Sequence, residues 1–275
     1  MRDGRQTRSS VTVFCEPHFM EIDQLSSQEA IRYKRQVVIP AFGEEGQRQL
    51  KRASIFIAGL GGLGAVSAYY LAAAGVGRLK IVDKDHVELE NLNRQILYST
   101  RDVGRTKTES AFEKLHALNP LCRIDAQKVE IQKGNALELI GDCHIIVDAT
   151  DNLKTRKYLN SVSVARQIPF IYGGIDGFTG MVTTFVPGDT PCLECLFPET
   201  TSTAKKVGAI GPIPGMIGAI QSLEAIKICL GMKDLLKNVM LCINGMDMGV
   251  KKLNLRKDPE CYCCGKQANV ENING

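Results

Sequence analysis

The sequence predicts an α/β fold: a Rossmann-like, doubly wound, mostly parallel sheet with a peripheral C-terminal subdomain. Three observations carry this. Short apolar runs alternate with helical patterns through residues 54–186, and such alternation places a mostly parallel sheet between layers of helix. A glycine-rich turn, Gly59-Leu60-Gly61-Gly62-Leu63-Gly64, joins one apolar run to a helix of small residues. Asp83 closes the next apolar run, about twenty residues beyond the glycines.

The elements follow in order. Ser26-Ser27-Gln28-Glu29 has the form of a capping box with Ser26 and Glu29 as partners. It opens a helix carrying Ile31, Arg32, Tyr33 and Arg35. A second short helix covers 44–51. Residues 54–58 are a short apolar run, hence a buried strand, and 63–74 are apolar throughout, as a helix packed on a sheet should be. The next strand is 79–83, and a helix over 106–118 stops before Pro120. Strands at 124–131 and 144–148, a helix at 153–167, and strands at 170–172 and 181–186 come next. The chain is then rich in Pro, Thr and Gly over 187–211. A long helix over 212–230 and a closing strand pair, 239–243 and 250–255, complete it. There is no internal repeat or low-complexity linker. One domain is therefore expected over 26–265, between tails of 1–25 and 266–275.

Composition narrows the function. The 275 residues are 44% hydrophobic with a net charge of +4 and both signs interspersed. That is too mild for nucleic acid. No apolar run is long enough to span a membrane, and the one at 11–15 is too short for a signal-peptide core. Of ten cysteines, Cys122, Cys143, Cys229 and Cys242 stand singly in apolar surroundings, as small buried hydrophobes do. Others form short-spaced pairs, which read as metal ligands in a reducing cytoplasm.

Gly59, Gly61 and Gly64 fit G-x-G-x-x-G. The first permits the tight turn, the second admits phosphate to the backbone, and the third lets helix and strand pack closely. Gly62 adds another position without a side chain. Asp83 can accept both hydroxyls of a ribose, with Asp85 as a weaker candidate. Downstream lie Asn91, Arg94, Gln95 and Lys107. Arg94 can grip phosphate bidentately and Lys107 acts as a point charge. Asp151, with Asn152 beside it in D-A-T-D-N, is placed past a strand end to hold Mg²⁺. A dinucleotide needs no such cluster, whereas cleaving ATP does. The alternative makes Arg94 and Lys107 surface charges and Asp151 a helix N-cap.

Cys192-x-x-Cys195 and Cys261-x-x-Cys264 supply four thiolates for a structural Zn²⁺ that ties the C-terminal subdomain together. Cys263 is then a spare thiol. The other reading is two redox pairs.

The set R-Y-K-R-Q, G-L-G-G-L-G, D-K-D, N-L-N-R-Q, Lys107 and D-A-T-D-N resembles the ubiquitin-activating-enzyme superfamily. The nearest branch is the bacterial homodimeric adenylyltransferases of molybdopterin and thiamine synthesis (MoeB, ThiF, HesA), which also carry the two cysteine pairs. The resemblance runs over residues 26–265. It implies ATP-dependent adenylylation of the C-terminal glycine of a small ubiquitin-like sulfur carrier ending in Gly-Gly. It implies Gly62 against the nucleotide and Asp83 on the ribose. Asn91, Arg94 and Lys107 would contact phosphates, with Gln95 supporting them and Asp151 on Mg²⁺. Arg35 would reach across a homodimer interface to the partner's ATP.

One feature departs from that pattern. Many relatives carry a cysteine in the loop before the long helix, at a position near Ala204 here. No cysteine occurs between Cys195 and Cys229, so no enzyme thioester is expected through this loop. Lys205 and Lys206 in that loop would either attract an acidic carrier or be simply solvated. Adenylylation of a small carboxylate, an NAD-dependent oxidoreductase and a carrier-binding scaffold are the competing readings.

Overall fold

The computed structural model describes residues 24–198 and 208–265. Eight strands form one sheet: β1 (Ser54–Ala58), β2 (Arg78–Asp83), β3 (Arg123–Lys128), β4 (Ile145–Asp148), β5 (Phe170–Asp176), β6 (Thr179–Phe185), β7 (Val239–Asn244) and β8 (Gly249–Asn254). Their order across the sheet is β3-β2-β1-β4-β5-β6-β7-β8. The first five are parallel and the last three join antiparallel. The chain winds outward from β1 to β3, then returns to lay β4 on the other side of β1. That reversal opens a crevice beyond the carboxyl ends of β1 and β4, where ligands collect in such sheets.

β1 is buried at every residue because helices cover both faces of the sheet. Alternate side chains serve opposite cores. Ile55 and Ile57 pack on one side with helices α4 (Gly62–Ala74), α5 (Lys107–Leu118) and α9 (Pro212–Cys229). Phe56 and Ala58 pack on the other with α6 (Ala136–Ile140) and α7 (Leu153–Arg166). α4 lies against α9 at backbone distance: a Cβ on Gly218 would sit 2.5 Å from the Leu63 carbonyl oxygen.

The expected capping box is present, with Ser26 and Glu29 each bonded to the other's backbone N–H. The helix it opens is broken into α1 (Ser27–Arg32) and α2 (Lys34–Val37). Tyr33 turns inward at the break, where its hydroxyl accepts a hydrogen bond of 2.8 Å from Asn119. α3 (Gly43–Arg52) and the short α8 (Leu193–Leu196) complete the helices; α6 and α8 were not legible as helices. β7 and β8, from the last third of the chain, extend the same sheet beyond β6. No helix among the described residues is long and apolar enough to cross a membrane.

Candidate active site

The glycine loop fills the mouth of the crevice. Gly59 has φ +87°, a conformation glycine adopts freely. A Cβ on Gly64 would lie 1.9 Å from the Gly59 carbonyl oxygen, so no other residue fits there. One on Gly62 would meet Pro214 at 2.8 Å and the Arg94 carbonyl at 3.4 Å. The loop thus nests between residues 91–95 and the start of α9. α4 begins without a side-chain cap, leaving its first N–H groups free for an anion.

Asp83 ends β2 beneath this loop and is 9% exposed. One carboxylate oxygen accepts the Leu60 N–H at 2.6 Å and the other the Asp85 N–H at 2.8 Å. Two backbone bonds leave lone pairs for ribose hydroxyls. Burial raises the pKa of Asp83, with the Lys107 ammonium opposing it. Lys107 opens α5 and is itself buried; its Nζ pairs with Asp85 at 3.1 Å. Lys107 is therefore not the surface charge of the alternative reading. Glycine loop, Asp83, Asp85 and Lys107 share one corner.

The remaining predicted residues divide. Asn91 is buried, and its side-chain oxygen accepts the Glu88 N–H at 3.1 Å, bracing a tight turn. Gln95 is buried beside Gly61, and its Oε1 has no partner. Arg94 folds back on its own loop, donating to the Glu90 carbonyl and to Asn93, each at 2.9 Å. Asp151 is exposed, with the Asn152 amide 3.5 Å from its carboxylate. The N-cap of α7 is Asn152, which accepts the Thr155 N–H at 2.8 Å. Arg35 is exposed on α2, outside this hydrogen-bonded corner.

The support under Asp151 carries no motif in the sequence. Fully buried Asp148 accepts from both the N–H and the hydroxyl of Thr150, at 3.0 and 2.7 Å. Its other oxygen faces Arg156 Nε at 3.3 Å. Arg156 also donates to the Thr150 and Gly173 carbonyls and lies 4.7 Å over the Tyr172 ring. Gln221 of α9 donates to the Asp148 carbonyl at 2.7 Å. The available signal was an acid closing an otherwise apolar strand.

The second site is the cysteine cluster. The Sγ atoms of Cys192, Cys195, Cys261 and Cys264 all lie within 4.8 Å of one another. Cys192 and Cys261 are 3.8 Å apart, Cys195 and Cys264 3.4 Å. Tetrahedral zinc with bonds of about 2.3 Å needs sulfurs about 3.8 Å apart, so the cluster fits that ion. Hydrogen bonding from Cys263 lowers the Cys192 thiol against the cost of burial, while burial raises Cys261 and Cys264. Cys263 itself is buried, and its sulfur accepts from Asn160 at 3.3 Å. Burial pushes Cys122 and Cys229 each up to about 12, which suits packing rather than chemistry. Ala204, Lys205, Lys206 and residues 1–23 and 266–275 lie outside the described residues.

The glycine loop, Asp83 and buried Lys107 meet at the reversal of a doubly wound sheet, and the chain is an enzyme of the adenylyltransferase class, as its curated relatives are. The chain belongs to the ThiF family, whose model matches residues 33–263. It is 39% identical over 252 residues to the sulfur carrier protein adenylyltransferase of Thermus thermophilus, covering 88% of this chain and 93% of that one. It is 38% identical over 254 residues to the SAMP-activating enzyme E1 of Haloferax volcanii, covering 90% and 93%. The adenylyltransferase and sulfurtransferase MOCS3 of Culex quinquefasciatus is 38% identical, but the match spans only 60% of that longer protein. Among solved structures, E. coli MccB with MccA-N7isoASN superimposes with a TM-score of 0.77 at 26% identity, over 85% of this chain and 75% of that one.

Proposed function

We propose that this chain adenylylates the C-terminal glycine carboxylate of a small ubiquitin-like sulfur-carrier protein, consuming ATP and releasing pyrophosphate. The observation that carries this is the convergence of the glycine loop, Asp83 and buried Lys107 in one corner. The loop and the start of α4 receive the phosphates, and Asp83 holds the ribose. Lys107 faces the developing charge, with Asp85 fixing its ammonium. Arg94 exchanges the Glu90 carbonyl for a phosphate, and Asn91 and Gln95 hold the loop that carries it. Asp151 would hold Mg²⁺ through oxygen, with Asn152 beside it capping α7; the ion would neutralise the departing pyrophosphate.

The carrier carboxylate attacks the α-phosphorus in line, and an acyl-adenylate remains. A carboxylate is already ionised at neutral pH, so no general base is required; positioning and charge stabilisation do the catalysis. Zinc in the closed tetrathiolate is structural. The working unit is a homodimer in the cytoplasm, with Arg35 completing the partner's site. No enzyme thioester forms through the loop after Cys195, which lacks a cysteine before Cys229.

Isotope exchange between pyrophosphate and ATP tests the proposal. Exchange should require a carrier ending in Gly-Gly and vanish when its last glycine is removed. Exchange that ignores the carrier, or a thiol-sensitive carrier adduct, contradicts it. The likeness to MccB, solved with MccA, favours one second reading: a peptide acceptor, which would support exchange where the carrier does not.

A further inference from the structure

We propose that Tyr98 is a positioning residue for the triphosphate: its hydroxyl sets the orientation of the Leu60–Gly61 peptide, so that the Gly61 N–H faces the phosphates. This rests on the reading that ATP occupies the corner described above.

Tyr98 is 6% exposed and follows the N-L-N-R-Q segment by three residues, its own N–H bonded to the Gln95 carbonyl at 3.0 Å. Its hydroxyl donates to the Leu60 carbonyl at 2.9 Å and also lies 3.5 Å from the Lys107 carbonyl. It therefore joins three segments of the site: the polar loop, the glycine loop and the start of α5. Burial, followed by the nearby Asp83 and Asp102 carboxylates, pushes the phenol pKa up. The hydroxyl keeps its proton and donates at neutral pH.

The consequence comes from peptide geometry. In a planar trans peptide the C=O and the next N–H point in opposite directions. With the Leu60 carbonyl turned inward to Tyr98, the Gly61 N–H must point outward. It makes no internal hydrogen bond among the described residues. On the other side of Leu60, its N–H is held by Asp83 at 2.6 Å. Glycine at 61 makes a flip of the Leu60–Gly61 peptide easy. A flip would aim a carbonyl oxygen at the phosphates in place of a donor. Removing the hydroxyl leaves the Leu60 carbonyl buried and unpaired, which favours that flip.

The test is Tyr98→Phe in the full chain, which keeps the ring and its packing. ATP binding by calorimetry should weaken about tenfold, and the KM for ATP in pyrophosphate exchange should rise in step. Adenosine affinity, which depends on Asp83, should stay unchanged, as should the KM for the acceptor. A merely structural role would lower the unfolding midpoint without separating ATP from adenosine. ATP binding within twofold of the wild type, or an equal loss for both ligands, overturns the inference. If the variant fails to fold, the wild-type Gly61 amide resonance decides. It should move strongly on adding ATP and little on adding adenosine; no movement overturns the inference. A wild-type chain that binds no ATP sinks the function reading and this one with it. Normal ATP binding by the variant sinks this one alone.

Discussion

Gly64→Ala is the sharpest perturbation of the site. The added Cβ would sit 1.9 Å from the Gly59 carbonyl oxygen, 2.9 Å from its carbon and 3.0 Å from the Ala149 Cβ. A comfortable contact needs roughly 3.5 Å, so the start of α4 must retreat by about 1.5 Å. The obstacle is backbone and cannot rotate away. Displacing groups by about 1 Å in a reacting site costs on the order of a hundredfold in rate. Overpacking adds about 1–3 kcal/mol of destabilisation, which is roughly 2–12 °C in Tm at this chain length. Pyrophosphate exchange and thermal unfolding read the two effects separately. Exchange should fall about a hundredfold at a temperature where the variant is still folded. Gly134→Ala is the control, because nothing lies within 4 Å of its added carbon. A folded Gly64→Ala enzyme with activity within about threefold of wild type would refute the reasoning that helix position sets the rate.

Three further outcomes are expected. Lys107→Ala should lower exchange by about 10²–10³, and Lys107→Arg should restore little, because a planar fork does not replace a buried point charge; steady-state exchange kinetics check both. Cys195→Ser should abolish stoichiometric zinc, measured by atomic absorption, and lower Tm by more than about 5 °C, since metal affinity is folding energy. The raised pKa of Asp83 makes the KM for ATP climb on acidification sooner than an ordinary aspartate would. For stability the sign is opposite. The folded state holds this proton more tightly than the unfolded chain, so the contribution of Asp83 to stability falls as pH rises from the ordinary aspartate pKa through the raised one. Urea unfolding of wild type and Asp83→Asn across that window reads the difference.

What the sequence revealed was local in origin. β1 matches the predicted run at both ends because a strand buried on both faces must be apolar throughout. The glycines, the Ser26 capping box and the cysteine pairs likewise announce themselves through spacing. What stayed hidden depends on partners distant in the chain. Tyr33 breaks its helix to reach Asn119, 86 residues away. β5 runs on through Gly173 and Gly174, which give no apolar signal; a Cβ on Gly173 would strike Gln221 at 2.5 Å. The antiparallel joining of β6 is set by a tight hairpin, not by periodicity. Asp148 and Arg156 read as ordinary charges until the fold buries them together. Arg94 could be identified as a cation, but its rest position on the Glu90 carbonyl could not.

Helix α7 connects two places that share no residue. Its N-cap follows directly on the Asp151 bend, and Asn160, seven residues after the helix start at Leu153, accepts the Leu193 N–H at 2.9 Å while donating to Cys263. That separation is about 10 Å of rigid rod. The cysteine cluster and the Asp151 turn therefore hang on the two ends of a single helix segment, so a change in the packing of one reaches the other through α7.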